Sequence, residues 1–253
     1  VRIYGLIGQT LKHSWSREYF IRKFAAGGIH ADYILFELAR INDLPVLVRT
    51  EQQLYGLNVT IPYKKSVIPF LSDLSPEAEA IGAVNTIRIE RQGQDIRLTG
   101  FNTDAPAFGA ELGRFAFRES KRALILGTGG AAMAVAHVLK NEGWTFSMVS
   151  RSGKLPNVLS YDKLTPDIMA SVELIVNATP AGMYPEVDTM PPLPWDYITR
   201  KHLLFDLIYN PEETRFMQMG QAKGARAING LGMLKRQADL AWEIWPKDQT
   251  QEK

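Results

Sequence analysis

Lys64 lies in the segment Gly56-Leu57-Asn58-Val59-Thr60-Ile61-Pro62-Tyr63-Lys64, which joins an apolar run to an amphipathic one. Pro62 fits the first position of a helix, where its missing N–H costs nothing. Thr60 or Ile61 then falls at the helix entry, and Lys64 in the first turn. The helix dipole disfavours a cation there. That is poor for stability, but it suits a lysine that must release a proton during a reaction. Lys65 sits next door under the same dipole, and most lysines are solvated surface residues, so position alone does not single out Lys64.

A second stretch has the order that a dinucleotide demands. The apolar strand Arg122–Leu126 runs into Gly127-Thr128-Gly129-Gly130-Ala131-Ala132, and a helical pattern follows. Glycines permit the tight turn and let backbone N–H groups approach a pyrophosphate, while the helix N-terminus supplies positive potential. The third small residue is Ala132 instead of glycine, and such turns also serve strand–helix packing alone. The next strand, Thr145 to Val149, ends in Ser150-Arg151-Ser152, with Lys154 close behind and no carboxylate. An NAD site places an acidic group there for the ribose hydroxyls. A guanidinium suits a 2′-phosphate, so the cofactor expected is NADP(H). The plain alternative is a solvated loop arginine.

The composition narrows the classes. The chain has 253 residues, 45% hydrophobic and 22% charged, which is ordinary for a globular protein with one large or two modest domains. A net charge of +2 with scattered basic residues gives no case for nucleic acid. Apolar runs are of strand length, so no membrane span is expected. The chain opens directly on strand-like residues, with no signal-peptide pattern. It has no cysteine, which excludes disulfides and thiolate chemistry and fits a cytoplasmic location. The four histidines are far apart, and no metal site is expected.

The elements that must position these residues alternate between short strands and helices, the pattern of an α/β protein with mostly parallel sheets. Strands are expected at Ile3–Ile7, Tyr33–Glu37 and Leu54–Val59. A helix is expected from Ser16 to Ala26, with Ser16 at its cap, and another from Pro62 through the amphipathic run that ends at Leu71. The runs 85–89 and 95–99 flank Gln92-Gly93-Gln94 as a hairpin. A second unit starts near Asp104, with a helix over 105–112, the glycine turn, and further strands at 145–149, 174–177, 202–207 and 225–228. The Pro- and Gly-rich segment 179–194 reads as a long functional loop. The last helix is expected over Met233–Trp245.

Eight segments in order resemble the shikimate dehydrogenase family (shikimate and quinate dehydrogenases), from about Tyr4 to Trp245. They are GQTLKHSWS (8–16), NVTIPYK (58–64), GAVNT (82–86), NTD (102–104), GTGGA (127–131), NATPAGM (177–183), YNPEETRF (209–216) and GLGMLKRQ (230–237). The resemblance implies a substrate-binding domain, residues 1–103 plus 233–253, and a doubly wound, Rossmann-like NADP domain, residues 104–232, with a cleft between them. It implies NADP-linked reduction of 3-dehydroshikimate to shikimate by a monomer or homodimer.

Residue by residue, the resemblance makes Lys64 and Asp104 the catalytic pair. An ammonium stabilises and then protonates the oxygen of the reduced ketone, and a carboxylate holds both in place. Ser14 and Ser16 match the hydroxyls that hold the substrate carboxylate. Asn58, Thr60, Asn85, Tyr209 and Gln237 match positions facing the ring. Gly127, Thr128, Gly129, Gly130, Ala131, Ser150, Arg151, Ser152, Asn177, Thr179, Gly230 and Met233 match the cofactor side. His13 is expected to pack beneath the serine turn. The chain departs from the family in Ser16-Arg17 for Ser-Pro, in Ser150-Arg151-Ser152 for Asn-Arg-Thr, and in Pro180. Two other readings share these features. A quinate or dual-specificity enzyme, with NAD as an alternative cofactor, needs room for one more hydroxyl. A ligand sensor needs the substrate contacts but neither Lys64 nor Asp104.

Overall fold

The computed structural model describes residues 1–11, 14–117 and 121–246. Their fold is α/β and divides into two compact units, Val1–Thr103 with Ala238 onward, and Asp104–Gln237.

The first unit runs β1 (Arg2–Gly8), α1 (Trp15–Ala26), β2 (Ala31–Glu37), α2 (Leu44–Thr50), β3 (Leu54–Val59), α3 (Tyr63–Ser66), β4 (Asp73–Leu74), α4 (Pro76–Ile81), β5 (Thr86–Gln92) and β6 (Asp95–Phe101). Its sheet has the order β2-β1-β3-β5-β6-β4. Pairing is parallel from β2 through β3 and antiparallel across β3-β5-β6. With β4 parallel to β6, the sheet is mostly parallel, as the strand–helix alternation predicts, with one antiparallel stretch. Within that stretch the Gly93-Gln94 turn, with Gly93 at φ +60°, joins β5 and β6 as the expected hairpin. Helix α4 shows how local chemistry sets an element's bounds. Ser75 accepts from the Ala78 N–H, Pro76 opens the helix, and Gly82 closes it in the left-handed region.

Strand alternation gives this sheet two different faces. One carries Ile7, Leu57, Val59, Ile87 and Ile89 into an aliphatic core with Leu44, Val48 and Val67. The other carries Tyr4, Leu6 and Tyr33 into an aromatic core with Phe20 and Phe24 of α1 and with Ala238, Ala241 and Trp245 near the C-terminus.

The second unit runs α5 (Asp104–Leu112), β7 (Arg122–Leu126), α6 (Gly130–Asn141), β8 (Thr145–Ser150), β9 (Val158–Ser160), α7 (Pro166–Ser171), β10 (Leu174–Asn177), β11 (Leu203–Asp206), α8 (Arg215–Ala222), β12 (Arg226–Ile228) and α9 (Leu231–Ile244). Its six strands are all parallel in the order β9-β8-β7-β10-β11-β12. Numbered within the unit this is 3-2-1-4-5-6, the doubly wound order of dinucleotide-binding sheets. Leu124, Leu126, Ile175 and Leu204 meet Met169 of α7 and Phe216 of α8 on one face. On the other, Phe108 of α5 packs on Phe205 with ring centroids 5.1 Å apart.

Helix α9 starts two residues before the expected Met233. Its first half belongs to the second unit and its second half, from Ala238, to the first. Among the described residues no helix is long and apolar enough to cross a membrane.

Candidate active site

In the first unit the site residues gather at the end of β3. Asn58 and Val59 are buried, Thr60 is half-buried, and the chain then turns into α3. This helix differs from the expectation. Pro62 is its cap, outside the first helical position, and the helix spans only four residues before a 3₁₀ turn at Ile68–Phe70. Pro69 has no N–H to continue the α pattern. So short a helix has little dipole, and that argument for Lys64 loses its force. Burial separates the two lysines instead: Lys64 is half-buried and Lys65 exposed. The Lys64 carbonyl accepts from the Val84 N–H at 2.7 Å, which ties this turn to the segment leading into Asn85.

A connected set of buried polar groups lies behind it. Asn58 Nδ2 donates to the Asn85 carbonyl at 3.4 Å and to Thr86 Oγ1 at 3.3 Å. Asn85 Oδ1 accepts from the Thr103 N–H at 2.7 Å, and its Nδ2 donates to Thr103 Oγ1 at 2.9 Å. All four residues are under 5% exposed, so these bonds fix their amides in place. Asn58 Oδ1 in turn accepts from the hydroxyl of Tyr33, which the Ser16 side chain also bonds. Sequence reasoning passed over Tyr33 as a strand tyrosine. Its alternation with Leu35 on β2 signals only a buried face, and its partners lie on other elements.

The serine pair is placed differently from the sequence reading. The cap of α1 is Ser14, whose side chain makes no capping bond, and Ser16 lies inside the first turn. Trp15 already has helical geometry, so Ser16 cannot serve as the cap. His13 lies outside the described residues.

In the second unit, Asp104 is the first residue of α5 and 5% exposed. A carboxylate is favoured at that end of a helix. The glycine turn joins β7 to α6 beside β10, where the strand order reverses, and ligands of such sheets bind at that point. Gly127 has φ +112°, and a Cβ there would come within 3.0 Å of the Ala178 carbonyl oxygen. Gly129 caps α6 and has nothing within 4 Å of the place a Cβ would take. Ala132 is fully buried, as tight strand–helix packing requires.

Asn177, at the end of β10, is fully buried. Its Oδ1 accepts from the Thr179 N–H and hydroxyl, and its Nδ2 donates to Asp206 and to the Ala181 carbonyl. Its side chain therefore shapes the following loop. Ser150 Oγ accepts from the Gly153 N–H at 3.1 Å and closes the turn after β8 that carries the exposed Arg151 and Ser152. Gly230 is buried, and a Cβ on it would meet the Leu207 carbonyl oxygen at 2.2 Å. Tyr209 is half-buried, while Met233 and Gln237 are buried on one side of α9.

Asp206 is a residue the sequence reading missed. It is fully buried at the end of β11 and accepts from Asn177, from the Ile208 N–H and from the Thr214 hydroxyl. Burial pushes its carboxyl up to about 6, against the pull of those three donors. The spacing Asp206-x-x-Tyr209-x-x-x-x-Thr214 was its only signal.

The residues fit a phosphorylated dinucleotide. Open space at Gly129, a glycine-only backbone at Gly127 and a helix N-terminus at Gly130 accommodate a pyrophosphate. No acidic residue follows β8 to compete with a 2′-phosphate for Arg151. Among the described residues no group of three His, Asp or Glu side chains could hold a metal ion.

Residues 6–87 match the family model described as the shikimate dehydrogenase substrate binding domain. The chain is 38% identical to the shikimate dehydrogenase (NADP(+)) of Carboxydothermus hydrogenoformans, covering 96% of this chain and 91% of that one. Among solved structures it is similar to shikimate dehydrogenase 1 from Peptoclostridium difficile, with 33% identity, a TM-score of 0.82 and coverage of 99% and 95%. It is also similar to the shikimate 5-dehydrogenase of Thermus thermophilus in complex with NADP(H) and shikimate, with 29% identity, a TM-score of 0.82 and coverage of 98% and 95%. With identity at this level along nearly its whole length, on a doubly wound sheet whose phosphate turn stands at the switch point, the chain belongs to the shikimate dehydrogenase family.

Proposed function

We propose that this chain is an NADP-linked shikimate dehydrogenase, reversibly reducing 3-dehydroshikimate to shikimate in the cytoplasm. The observation that carries the reading is the buried polar pair Asn58 and Asn85, linked through Tyr33 to the half-buried Ser16, in the unit that also holds the half-buried Lys64. A small, many-hydroxyl acid needs such prearranged donors and acceptors. The location draws on the absence of cysteine, which fits a reducing compartment.

Ser14 and Ser16 donate to the substrate carboxylate. Asn58, Thr60, Asn85, Tyr209 and Gln237 bond the ring oxygens and present the reacting carbon. The backbone of Gly127 to Ala131 holds the pyrophosphate, and Arg151, flanked by Ser150 and Ser152, pairs with the 2′-phosphate. Asn177 and Thr179 brace the loop beside it, and Gly230 and Met233 line the nicotinamide side. When bound, NADPH supplies the hydride that reduces the ketone, and NADP takes it back in the reverse direction. As negative charge develops on the carbonyl oxygen, the Lys64 ammonium stabilises it and delivers the proton that completes the hydroxyl. In shikimate oxidation the neutral amine of Lys64 takes that proton. Asp104 accepts hydrogen bonds from the same hydroxyl and from the amine, holding both in line.

The test is the initial rate of shikimate oxidation with NADP, run beside quinate and NAD, for the parent and Lys64→Ala. The expected result is NADP-linked shikimate turnover that falls about 10²- to 10⁴-fold in the variant, with shikimate binding largely kept. Faster turnover of quinate would reassign the substrate. Tight shikimate binding with no turnover under any pairing would make the chain a sensor.

A further inference from the structure

We infer that Tyr33 is a positioning residue for the substrate, its hydroxyl setting the orientation of Ser16 and Asn58 together. The inference rests on the shikimate site proposed above.

The ring of Tyr33 is fixed before its hydroxyl is considered. It is fully buried and stacks on Phe20, with centroids 4.6 Å apart and planes 10° from parallel. Phe20 lies one helical turn beyond Ser16, so a single face of α1 supplies both the platform for the ring and the partner for the hydroxyl. The hydroxyl donates to Asn58 Oδ1 at 2.8 Å and is bonded by the Ser16 side chain.

A phenol has one proton. Since Tyr33 gives it to Asn58, Ser16 must be the donor in the bond between Ser16 and Tyr33. Burial holds the phenol well above its ordinary range, so it stays a donor at any working pH. With Oδ1 pinned, the Asn58 amide can only turn its Nδ2 toward Asn85 and Thr86, where its bonds are long, 3.4 and 3.3 Å. Bonds of that length leave the Nδ2 protons available to be shared with a ligand oxygen while the amide itself stays where it is fixed. Before substrate binds, the bond to Tyr33 holds Ser16 Oγ in place; an incoming carboxylate replaces Tyr33 as the acceptor of the single serine proton, while Tyr33 keeps its own bond to Asn58. One hydroxyl thus aligns a carboxylate-binding group and a ring-binding group carried on different elements.

Tyr33→Phe keeps the ring and its stack and removes only the hydroxyl. The expected result is an increase of about tenfold in KM for shikimate, with KM for NADP unchanged and kcat within about threefold. In double-mutant cycles the loss should be shared: once Asn58→Ala or Ser16→Ala is present, Tyr33→Phe should add less than about twofold. A purely structural role would lower the thermal midpoint and add independently in both cycles. Should Tyr33→Phe fail to fold, Phe20→Leu frees the ring while keeping every polar group, and it too should raise only the shikimate KM. A parent that oxidises shikimate, paired with an unchanged KM in the variant or with additive cycles, overturns this inference alone. A parent that neither binds nor oxidises shikimate overturns the proposed function and this inference with it.

Discussion

Asp206 is a buried carboxylate without a cation among its three bonded donors. Burial pushes its carboxyl up to about 6 in the folded chain, against 3.8 for the free group. Between those values the native state holds a proton that the unfolded chain has released, so stability falls as pH rises through this window. The full cost, reached above about pH 6, is on the order of 3 kcal/mol. Asp206→Asn cannot ionise and should lack this decline. The measurement is the urea midpoint of parent and variant from pH 4 to pH 7. The difference between them should shift in favour of the variant by roughly 2–3 kcal/mol across that range. A difference that stays constant with pH would show that Asp206 does not titrate there.

The glycine turn shows how a single element can divide stability from binding. Gly127 carries a left-handed backbone pressed against the Ala178 carbonyl, whereas Gly129 has an ordinary φ of −78° and open space before it. Gly127→Ala should therefore destabilise the second unit by about 1–3 kcal/mol and weaken NADP binding at the same time. Gly129→Ala should cost only about 0.5–1 kcal/mol as a poorer helix cap, yet still weaken NADP if the added methyl enters the space proposed above for the pyrophosphate. Thermal unfolding and NADP titration of the two variants separate these effects. Equal losses of binding and stability in both would mean the open space at Gly129 is not a ligand's.

At the scale of the whole chain, Trp245 is a central anchor of the C-terminal segment in the first unit, beside Ala238, Ala241 and Trp242. Trp245 is 2% exposed, stacks on Tyr4 with centroids 4.9 Å apart, and donates its indole N–H to the Ile87 carbonyl at 3.0 Å. Gly56 makes room for it: a Cβ there would lie 2.3 Å from the indole ring. Gly56→Ala should cost about 1–3 kcal/mol by overpacking, and Trp245→Ala about 3–5 kcal/mol by leaving a cavity. The two should not add. With the indole gone, the methyl at residue 56 has space, and the double variant should be about as stable as Trp245→Ala alone. Additive losses in denaturant unfolding would show that Gly56 matters for a reason other than Trp245.

The sequence by itself determined what local pattern can encode. Strands Leu54–Val59, Arg122–Leu126 and Leu174–Asn177 run where their apolar stretches place them, and the hairpin at Gly93 follows from its turn. The order of strand, glycines and helix marked the phosphate turn, because backbone conformation and dipole are properties of a few adjacent residues. Strands β4 and β9, of two and three residues, are too short to show a period. The cap of α1 and the length of α3 also escaped, since one residue of shift or one proline decides them. Only the tertiary structure decided which distant residues share a bond. It brought Tyr33 to Ser16 and Asn58, Asp206 to Asn177 and Thr214, and Trp245 to Gly56. These pairings depend on strand register and helix packing, which are settled by burial across the whole core and leave no periodic trace along the chain.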